Sequence, residues 1–226
     1  KPVIVAKVGR SSAAERAAVS HTASMTGWNA AYEAIFAKYG FVSTGDPDEA
    51  VAIAAALTTA PAAKGDRVGI VTVSGGGGAW AADAFTAHGL RVPELSAQLQ
   101  QRIRAYIPSY GSPRNPVDIT AQAAHTGGFQ KTIDLLNESD EVDIVVVVTS
   151  LASEKRVAFD PEVLKRTVDS RRKPILFYTY TLPSLLARTT LAKAGVVVYP
   201  GLAELSAAIG QLVRRSRFEP PPAACD

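Results

Sequence analysis

Short apolar runs alternate along this chain with stretches whose apolar positions recur at helical spacing. Val3-Ile-Val-Ala6 reads as a buried strand of a parallel sheet, and Phe41-Val-Ser43 as a second short strand. Between them Trp28, Ala31, Tyr32, Ile35 and Phe36 form one apolar stripe, so Asn29 to Tyr39 is predicted as a helix that Gly40 ends. Asp46-Pro47-Asp48-Glu49 is a helix start, with Asp46 as cap and Pro47 at the first position, and the helix runs to Leu57. From Arg67 the alternation is strict. Strands are predicted over Val68–Val73, Leu90–Pro93, Val142–Val148, Pro174–Tyr178 and Val196–Tyr199. Helices are predicted over Ala79–His88, Ser96–Tyr106, Gly128–Asn137, Asp160–Ser170, Pro183–Ala194 and Gly201–Arg215. Strands alternating with helices in this way predict an α/β fold with a doubly wound, mostly parallel five-stranded flavodoxin-like sheet. The pattern breaks between Leu57 and Arg67, at Pro61 and Gly65. The expected organisation is a first unit over residues 1–60, a linker over 61–66, the flavodoxin-like domain over 67–218 and a flexible tail over 219–226.

Composition narrows the class without naming a function. Apolar residues make up 47% and charged residues 20% of the 226 positions, an ordinary globular balance. No run of apolar residues is long enough to cross a membrane as a helix, and no signal peptide is visible. A net charge of +3 does not argue for nucleic acid. Arg214, Arg215 and Arg217 read as a solvated helix end. The single Cys225, in a proline-rich tail, allows no internal disulfide and fits a reducing cytoplasm. The expectation is therefore a cytoplasmic protein with neither membrane nor nucleic acid as partner.

Three stretches between the periodic elements could carry chemistry. Lys7 to Gly27 is predicted as a long loop leaving the end of a strand, where α/β folds place their sites. His21 stands in it between Ser20 and Thr22, with no Cys, Asp or Glu at metal-ligand spacing, so no metal site is expected. A neutral imidazole there is nucleophilic at a ring nitrogen, although taken alone the residue reads as a surface histidine. Ser74-Gly-Gly-Gly-Gly78 follows a strand and precedes a helix, so its backbone N–H groups could hold an anion. It is neither a Walker A loop nor a Gly-x-Gly-x-x-Gly fingerprint, and a tight turn explains it equally well. Asn115-Pro-Val-Asp118 lies in a predicted long loop over Pro108–Thr126, where Asn115 and Asp118 can hydrogen-bond their own backbone and fix the loop. Thr149-Ser150 ends a central strand as a second, weaker phosphate-facing turn. His88 and His125 have no partner in sequence and read as structural.

The wording of these stretches resembles one family. Lys1-Pro2-Val3, Lys7-Val8-Gly9-Arg10-Ser11 and Ser20-His21-Thr22 resemble the phosphohistidine segment of the ADP-forming (NDP-forming) acyl-CoA synthetases, relatives of succinyl-CoA synthetase. Ser74 to Gly78 followed by Ala81-Ala82-Asp83 resembles the Ser-Gly-Gly-Pro-Gly turn of the family's second ligase domain, with Gly77 in place of proline. Asn115-Pro116-Val117-Asp118-Ile119-Thr120 resembles its Gly-Asn-Pro-Val-Asp-Leu-Thr turn, with Pro113 and Arg114 where the family has little or nothing. Ala23 stands where the family usually has glycine.

The resemblance implies that residues 1–60 are the C-terminal part of a succinyl-CoA-ligase-like domain. It also implies that a CoA-binding domain precedes Lys1, since the chain opens directly on a strand. The implied reaction interconverts acyl-CoA, ADP and phosphate with acid, CoA and ATP through phosphorylated His21. Ser74, Gly75, Gly76, Gly77 and Gly78 then bind phosphate, and Ser20, Thr22, Asn115 and Asp118 support the loops. CoA, ATP or ADP and Mg²⁺ are substrates and cofactor of the intact enzyme rather than ligands of this piece, which alone is expected to be inactive. CoA-binding and ATP-grasp domains or subunits are the implied partners, in a homo- or hetero-oligomer. Two other classes compete: a regulatory module like that of protein lysine acetyltransferases, which typically lack the histidine, and a plain nucleotide-binding flavodoxin-like domain.

Overall fold

The computed structural model describes residues 1–22, 29–124, 127–153 and 159–219. In chain order these form β1 (Ile4–Ala6), α1 (Ser12–Thr22), α2 (Asn29–Tyr39), β2 (Val42–Thr44), α3 (Pro47–Thr59), β3 (Val68–Thr72), α4 (Gly75–Ala87), α5 (Ala97–Arg104), β4 (Val117–Asp118) and α6 (Thr120–Ala124). There follow α7 (Gly128–Glu138), β5 (Ile144–Thr149), α8 (Pro161–Asp169), β6 (Ile175–Thr179), α9 (Leu185–Lys193), β7 (Val198–Tyr199) and α10 (Leu202–Arg217).

β1 pairs with β2 in a small parallel sheet. The other strands form one parallel sheet in the order β4-β3-β5-β6-β7. Counted within that sheet in chain order this is 2-1-3-4-5, the flavodoxin-like arrangement, and its connections diverge between β3 and β5. β5 is central and wholly buried, which is why it reads as an unbroken apolar run. Its side chains alternate between two cores, as strand geometry demands. Val145 and Val147 pack with Leu99, Ile133, Leu136, Leu164 and Phe177 on one face. Ile144, Val146 and Val148 pack with Ile70, Phe85, Leu205 and Ile209 on the other.

That second core also takes in Val42, Ile53, Ala56 and Ala63, so α3 lies against α10 and the small sheet shares its apolar interior with the large one. Within residues 61–66, Ala63 is fully buried and its N–H donates to the Leu212 carbonyl at 3.4 Å. The Phe218 ring covers Gly40, whose positive φ of 68° suits glycine and where a Cβ would stand 2.6 Å from the ring.

Several elements depart from the sequence reading. The predicted loop after β1 is largely helix: α1 runs from Ser12 to Thr22 and contains His21. Its alanines favour the helix, and the Ser11 hydroxyl accepts from the Ala14 N–H at 3.2 Å. The glycine run is not a loop either but the first turn of α4, capped by Ser74, whose hydroxyl accepts from the Gly77 N–H at 3.3 Å.

Leu90–Pro93 does not form a strand; it makes a single isolated bridge, Arg67–Arg91, beside β3, with the Val68 N–H donating to Arg91 O at 2.7 Å. The fifth strand is β4, inside the predicted Pro108–Thr126 loop, which also contains α6. The reason lies in Asn115. Its side chain accepts from the Ile70 N–H at 2.9 Å and donates to the carbonyls of Val68 (2.8 Å) and Pro93 (2.9 Å). One amide thus occupies the edge of β3 between Arg91 and Val117, where Pro93 has no N–H to offer. Asn115 therefore bonds a neighbouring strand rather than its own backbone. Asp118 does turn its own chain, accepting from the Thr120 N–H at 2.9 Å. The α2 stripe is only partly a core face: Phe36 is buried, whereas Tyr32 and Ile35 are exposed, and Trp28 lies outside the described residues. Ala23, His125, Cys225 and most of the expected tail also lie outside them.

Candidate functional site at the sheet's carboxyl edge and on α1

The connections diverge between β3 and β5, and sheets of this kind place their sites at the carboxyl ends of the strands at such a point. β3, β5 and β6 end on Thr72, Thr149 and Thr179, so hydroxyls line this edge. The Thr72 hydroxyl donates to the Ser74 carbonyl at 2.9 Å and accepts from the Ser74 N–H at 3.0 Å, which fixes the entry into α4. Beyond the ends of β5 and β6, Ser150 and Thr181 share a hydrogen bond of 3.2 Å, and the Leu151 N–H donates to Thr181 Oγ1 at 3.1 Å. Thr149 and Ser150 are buried. Thr72, Thr179 and Thr181 carry no motif and escaped the sequence reading. The regular placement of a threonine at each strand end was the available signal.

The glycines of α4 divide into two pairs. Gly75 and Gly76 are exposed, and a Cβ on Gly76 would meet nothing within 4 Å. Gly77 and Gly78 are buried. A Cβ on Gly77 would stand 3.3 Å from Val148, and one on Gly78 would stand 2.9 Å from Thr72 and 3.1 Å from Pro116. Gly77 and Gly78 let the helix approach the sheet, while Gly75 and Gly76 leave first-turn backbone open at the positive end of the helix dipole. Asp118 lies beside this turn, with Oδ2 3.3 Å from where a Gly75 Cβ would be.

His21 lies on α1, in the segment that leaves the carboxyl end of β1. The Ser20 hydroxyl is exposed and donates to the Ala17 carbonyl at 2.8 Å, one turn back. The base of the segment is tied down. Lys7 Nζ donates to Asn29 Oδ1 at 2.6 Å, and Asn29 Nδ2 reaches the carbonyls of Gly9 and Arg10 at 3.3 and 3.4 Å. Among the described residues, no hydrogen bond or ion pair joins α1 to Ser74–Gly78, Asn115 or Asp118. The structure therefore brings the glycine turn, Asp118 and the Thr149–Ser150 turn to one edge, and leaves the α1 segment bonded to its own base. Among the described residues, no group of His, Cys, Asp or Glu has a metal-binding arrangement.

Four perturbed ionisable groups, Asp66, Arg67, Asp143 and Lys173, sit at the opposite, amino end of the strands, whereas burial raises Tyr178 and Tyr199 near the carboxyl ends of β6 and β7. Arg67 forks onto Asp143 at 2.8 Å through both Nε and Nη2, and this hydrogen bonding holds the Asp143 carboxyl below the usual carboxylate range. Burial lowers Lys173 to about 8, although its ammonium caps the end of α7 by donating to Leu136 O at 2.7 Å and to Ser139 O. His88 caps α4, with Nδ1 2.8 Å from Ala84 O.

The chain matches two known families. The family described as succinyl-CoA ligase like flavodoxin domain matches residues 1–57, and the ligase-CoA domain matches residues 68–159. The alpha subunit of acetate–CoA ligase [ADP-forming] II from Pyrococcus furiosus is 32% identical over 96% of this chain and 48% of its own length. The alpha subunit of acetate–CoA ligase [ADP-forming] I from the same organism is 30% identical over 97% of this chain and 48% of its own. Among solved structures, the dinucleotide-forming acetyl-coenzyme A synthetase 1 of Ca. Korarchaeum cryptofilum, in complex with phosphate and ADP, superposes with a TM-score of 0.77 at 25% identity. It too is covered for 48% of its length, by 96% of this chain. The chain thus spans about half the length of these relatives. No helix among the described residues is long and apolar enough to cross a membrane.

Proposed function

The chain belongs to the ADP-forming acyl-CoA synthetase family, and from that premise we propose that it carries the phosphorylated histidine, His21, of such an enzyme. In this reading an acyl-CoA and phosphate exchange to give an acyl phosphate and CoA. A ring nitrogen of neutral His21 then attacks phosphorus, the N–P bond forms, the P–O bond to the acyl group breaks, and the carboxylate leaves. The phosphoryl group passes next to ADP, held with Mg²⁺ by an ATP-grasp domain or subunit. Splitting one transfer into two spares the enzyme from bringing acyl donor and nucleotide together at one point. Gly75 and Gly76, at the start of α4, are the anion-holding part of the glycine turn, and phosphate docks against their open backbone at the carboxyl edge of the sheet. Ser74, Gly77 and Gly78 hold that turn in place, and Asp118 shapes its rim. The division at residues 61–66 belongs to the same reading, supported by the two family matches that end and begin on either side of it.

The observation that carries this proposal is the position of His21 on the segment leaving the parallel strand β1, inside the residues matched to the succinyl-CoA ligase like domain. Ser20 offers a poorer alternative nucleophile, because its proton is committed to Ala17 O. The regulatory and nucleotide-binding readings have less support, since the relatives named above are ligases.

The test is chemical. The full-length enzyme is incubated with labelled ATP and Mg²⁺, or with acyl-CoA and labelled phosphate. Label is expected on His21 through an acid-labile, alkali-stable bond, and His21→Asn is expected to abolish both label and turnover. Label on Ser20, Thr22 or Ser74, or label that survives in His21→Asn, refutes the proposal.

A further inference from the structure

We infer that Lys7 and Asn29 are positioning residues for His21, because together they cinch the two ends of the segment that carries it. The inference rests on the phosphohistidine reading. Lys7 and Asn29 stand 22 positions apart in sequence, on either side of α1, yet their side chains meet at 2.6 Å. The hydrogen bonds of both side chains are directed at this base. Lys7 Nζ donates to Asn29 Oδ1 and to its neighbour's carbonyl, Val8 O, at 3.2 Å, and it lies 4.9 Å above the centre of the Tyr32 ring. Asn29 returns its two N–H groups to Gly9 O and Arg10 O. The backbone between these contacts makes a turn that needs glycine: Gly9 is buried and has φ of 76°. The strand side is tied as well, through the Lys7 N–H donating to Thr44 O at 3.1 Å.

A second strap runs from Arg10 to Ser43, Thr44 O and Glu33, with the Arg10–Glu33 ion pair at 3.7 Å. Its side chains are 42% and 53% exposed, so solvent screens the ion pair and it contributes little. Lys7 and Asn29 are half-buried, so less water competes for their bonds. The arrangement sets where the histidine segment starts and ends. That matters for phosphoryl transfer, where a misplacement of about 1 Å can cost roughly 100-fold in rate. A purely architectural clamp would show itself in stability. A positioning clamp shows itself in the rate at which His21 gains and loses phosphate.

The experiment uses the full-length enzyme and measures His21 phosphorylation, from ATP–Mg²⁺ and from acyl-CoA plus phosphate, in single turnovers. Wild type is compared with Lys7→Met, Asn29→Ala, Lys7→Arg and Arg10→Met, alongside steady-state constants and thermal midpoints. Lys7→Met and Asn29→Ala are expected to slow labelling from both directions by roughly 10- to 100-fold. KM for acyl-CoA, ADP and phosphate should stay within about twofold, and the thermal midpoint should hold. Lys7→Arg should recover most of the rate, and Arg10→Met should stay within about threefold of wild type. The inference is overturned if Lys7→Met labels as fast as wild type, if KM moves instead of the labelling rate, or if the loss follows the thermal midpoint and Lys7→Arg restores neither. Wild type that carries no label on His21 sinks the phosphohistidine reading and this inference together. Labelled wild type with an equally fast Lys7→Met sinks the inference alone.

Discussion

Gly76 and Gly78 are two residues apart in one glycine run, and the structure gives them opposite duties. Gly76 faces open space at the start of α4, so a methyl group there meets nothing and shortens the list of unfolded conformations. Gly76→Ala is expected to leave stability unchanged or raise it by up to about 1 kcal/mol. Gly78 is pressed against Thr72 and Pro116, so Gly78→Ala is expected to lower stability by about 1–3 kcal/mol. Denaturant midpoints of the two variants separate these duties, and equal midpoints would contradict the packing described here. Gly76→Asp in the full-length enzyme adds a functional arm: if this turn holds phosphate as proposed, a carboxylate there should weaken phosphate use while the midpoint stays near that of Gly76→Ala. The run itself was legible as an anion-binding candidate. Its division was not, because neighbouring glycines look alike until the sheet shows which of them it touches.

At the scale of elements, the edge of the large sheet shows how one side chain substitutes for a strand. Asn115 satisfies the Ile70 N–H and the Val68 carbonyl, two groups of β3 that β4 is too short to reach. Asn115→Ala leaves both without a partner, at a cost of about 1–3 kcal/mol each when buried, so a total loss of about 2–5 kcal/mol is expected in denaturant unfolding. Asn115→Asp keeps the acceptor for Ile70 but has no N–H for Val68 or Pro93, and should fall between wild type and alanine only if its carboxyl is protonated. A loss under about 0.5 kcal/mol in the alanine variant would mean that water or backbone closes this edge instead. The sequence pattern put a strand at Leu90–Pro93 because apolar residues alternate there. Proline and the distant Asn115 decide otherwise, and nothing local records a bond made across 45 positions. The helical character of α1 was more accessible: Ser11-Ser12-Ala-Ala-Glu15 is a plausible helix start followed by alanines, outweighed in the sequence reading by the expectation of a loop after β1.

At the scale of the whole molecule, the amino ends of β3 and β5 are joined by the Arg67–Asp143 pair, and Asp143 is the more buried partner. Its hydrogen bonds from Arg67 hold the folded-state carboxyl below its ordinary value. The unfolded chain, with a carboxyl pKa near ~3.9, therefore binds a proton before the folded chain does. The pair's contribution is present above about pH 4 and is lost as pH falls through the lower folded value. Thermal midpoints should decline below about pH 4, and Asp143→Asn, already less stable at neutral pH, should show a shallower decline. Parallel acid profiles for the two proteins would assign the acid sensitivity to other carboxylates. The same scale unites the two units. Ile53 and Ala56 of α3 lie in one apolar interior with Val68, Ile70 and α10, so the small sheet is seated on the large domain rather than tethered to it.

The sequence by itself determined the fold class, the central place of β5 and three of the helix caps, because these depend on interactions within a few residues or on burial of a whole strand. Asp46, Ser96 and Asp160 cap the helices their spacing predicted. The wording of Ser20-His21-Thr22 and Ser74–Gly78 likewise singled out the residues of the candidate site. Tertiary structure alone decided which glycines are exposed and which face Val148, Thr72 and Pro116. It alone showed that Asn115 completes the edge of β3, and that Lys7 meets Asn29 at the foot of the histidine segment. These are contacts between residues far apart in sequence. Their energy comes from desolvated polar groups finding partners in space, and a pattern with a period of two or 3.6 residues holds no record of them.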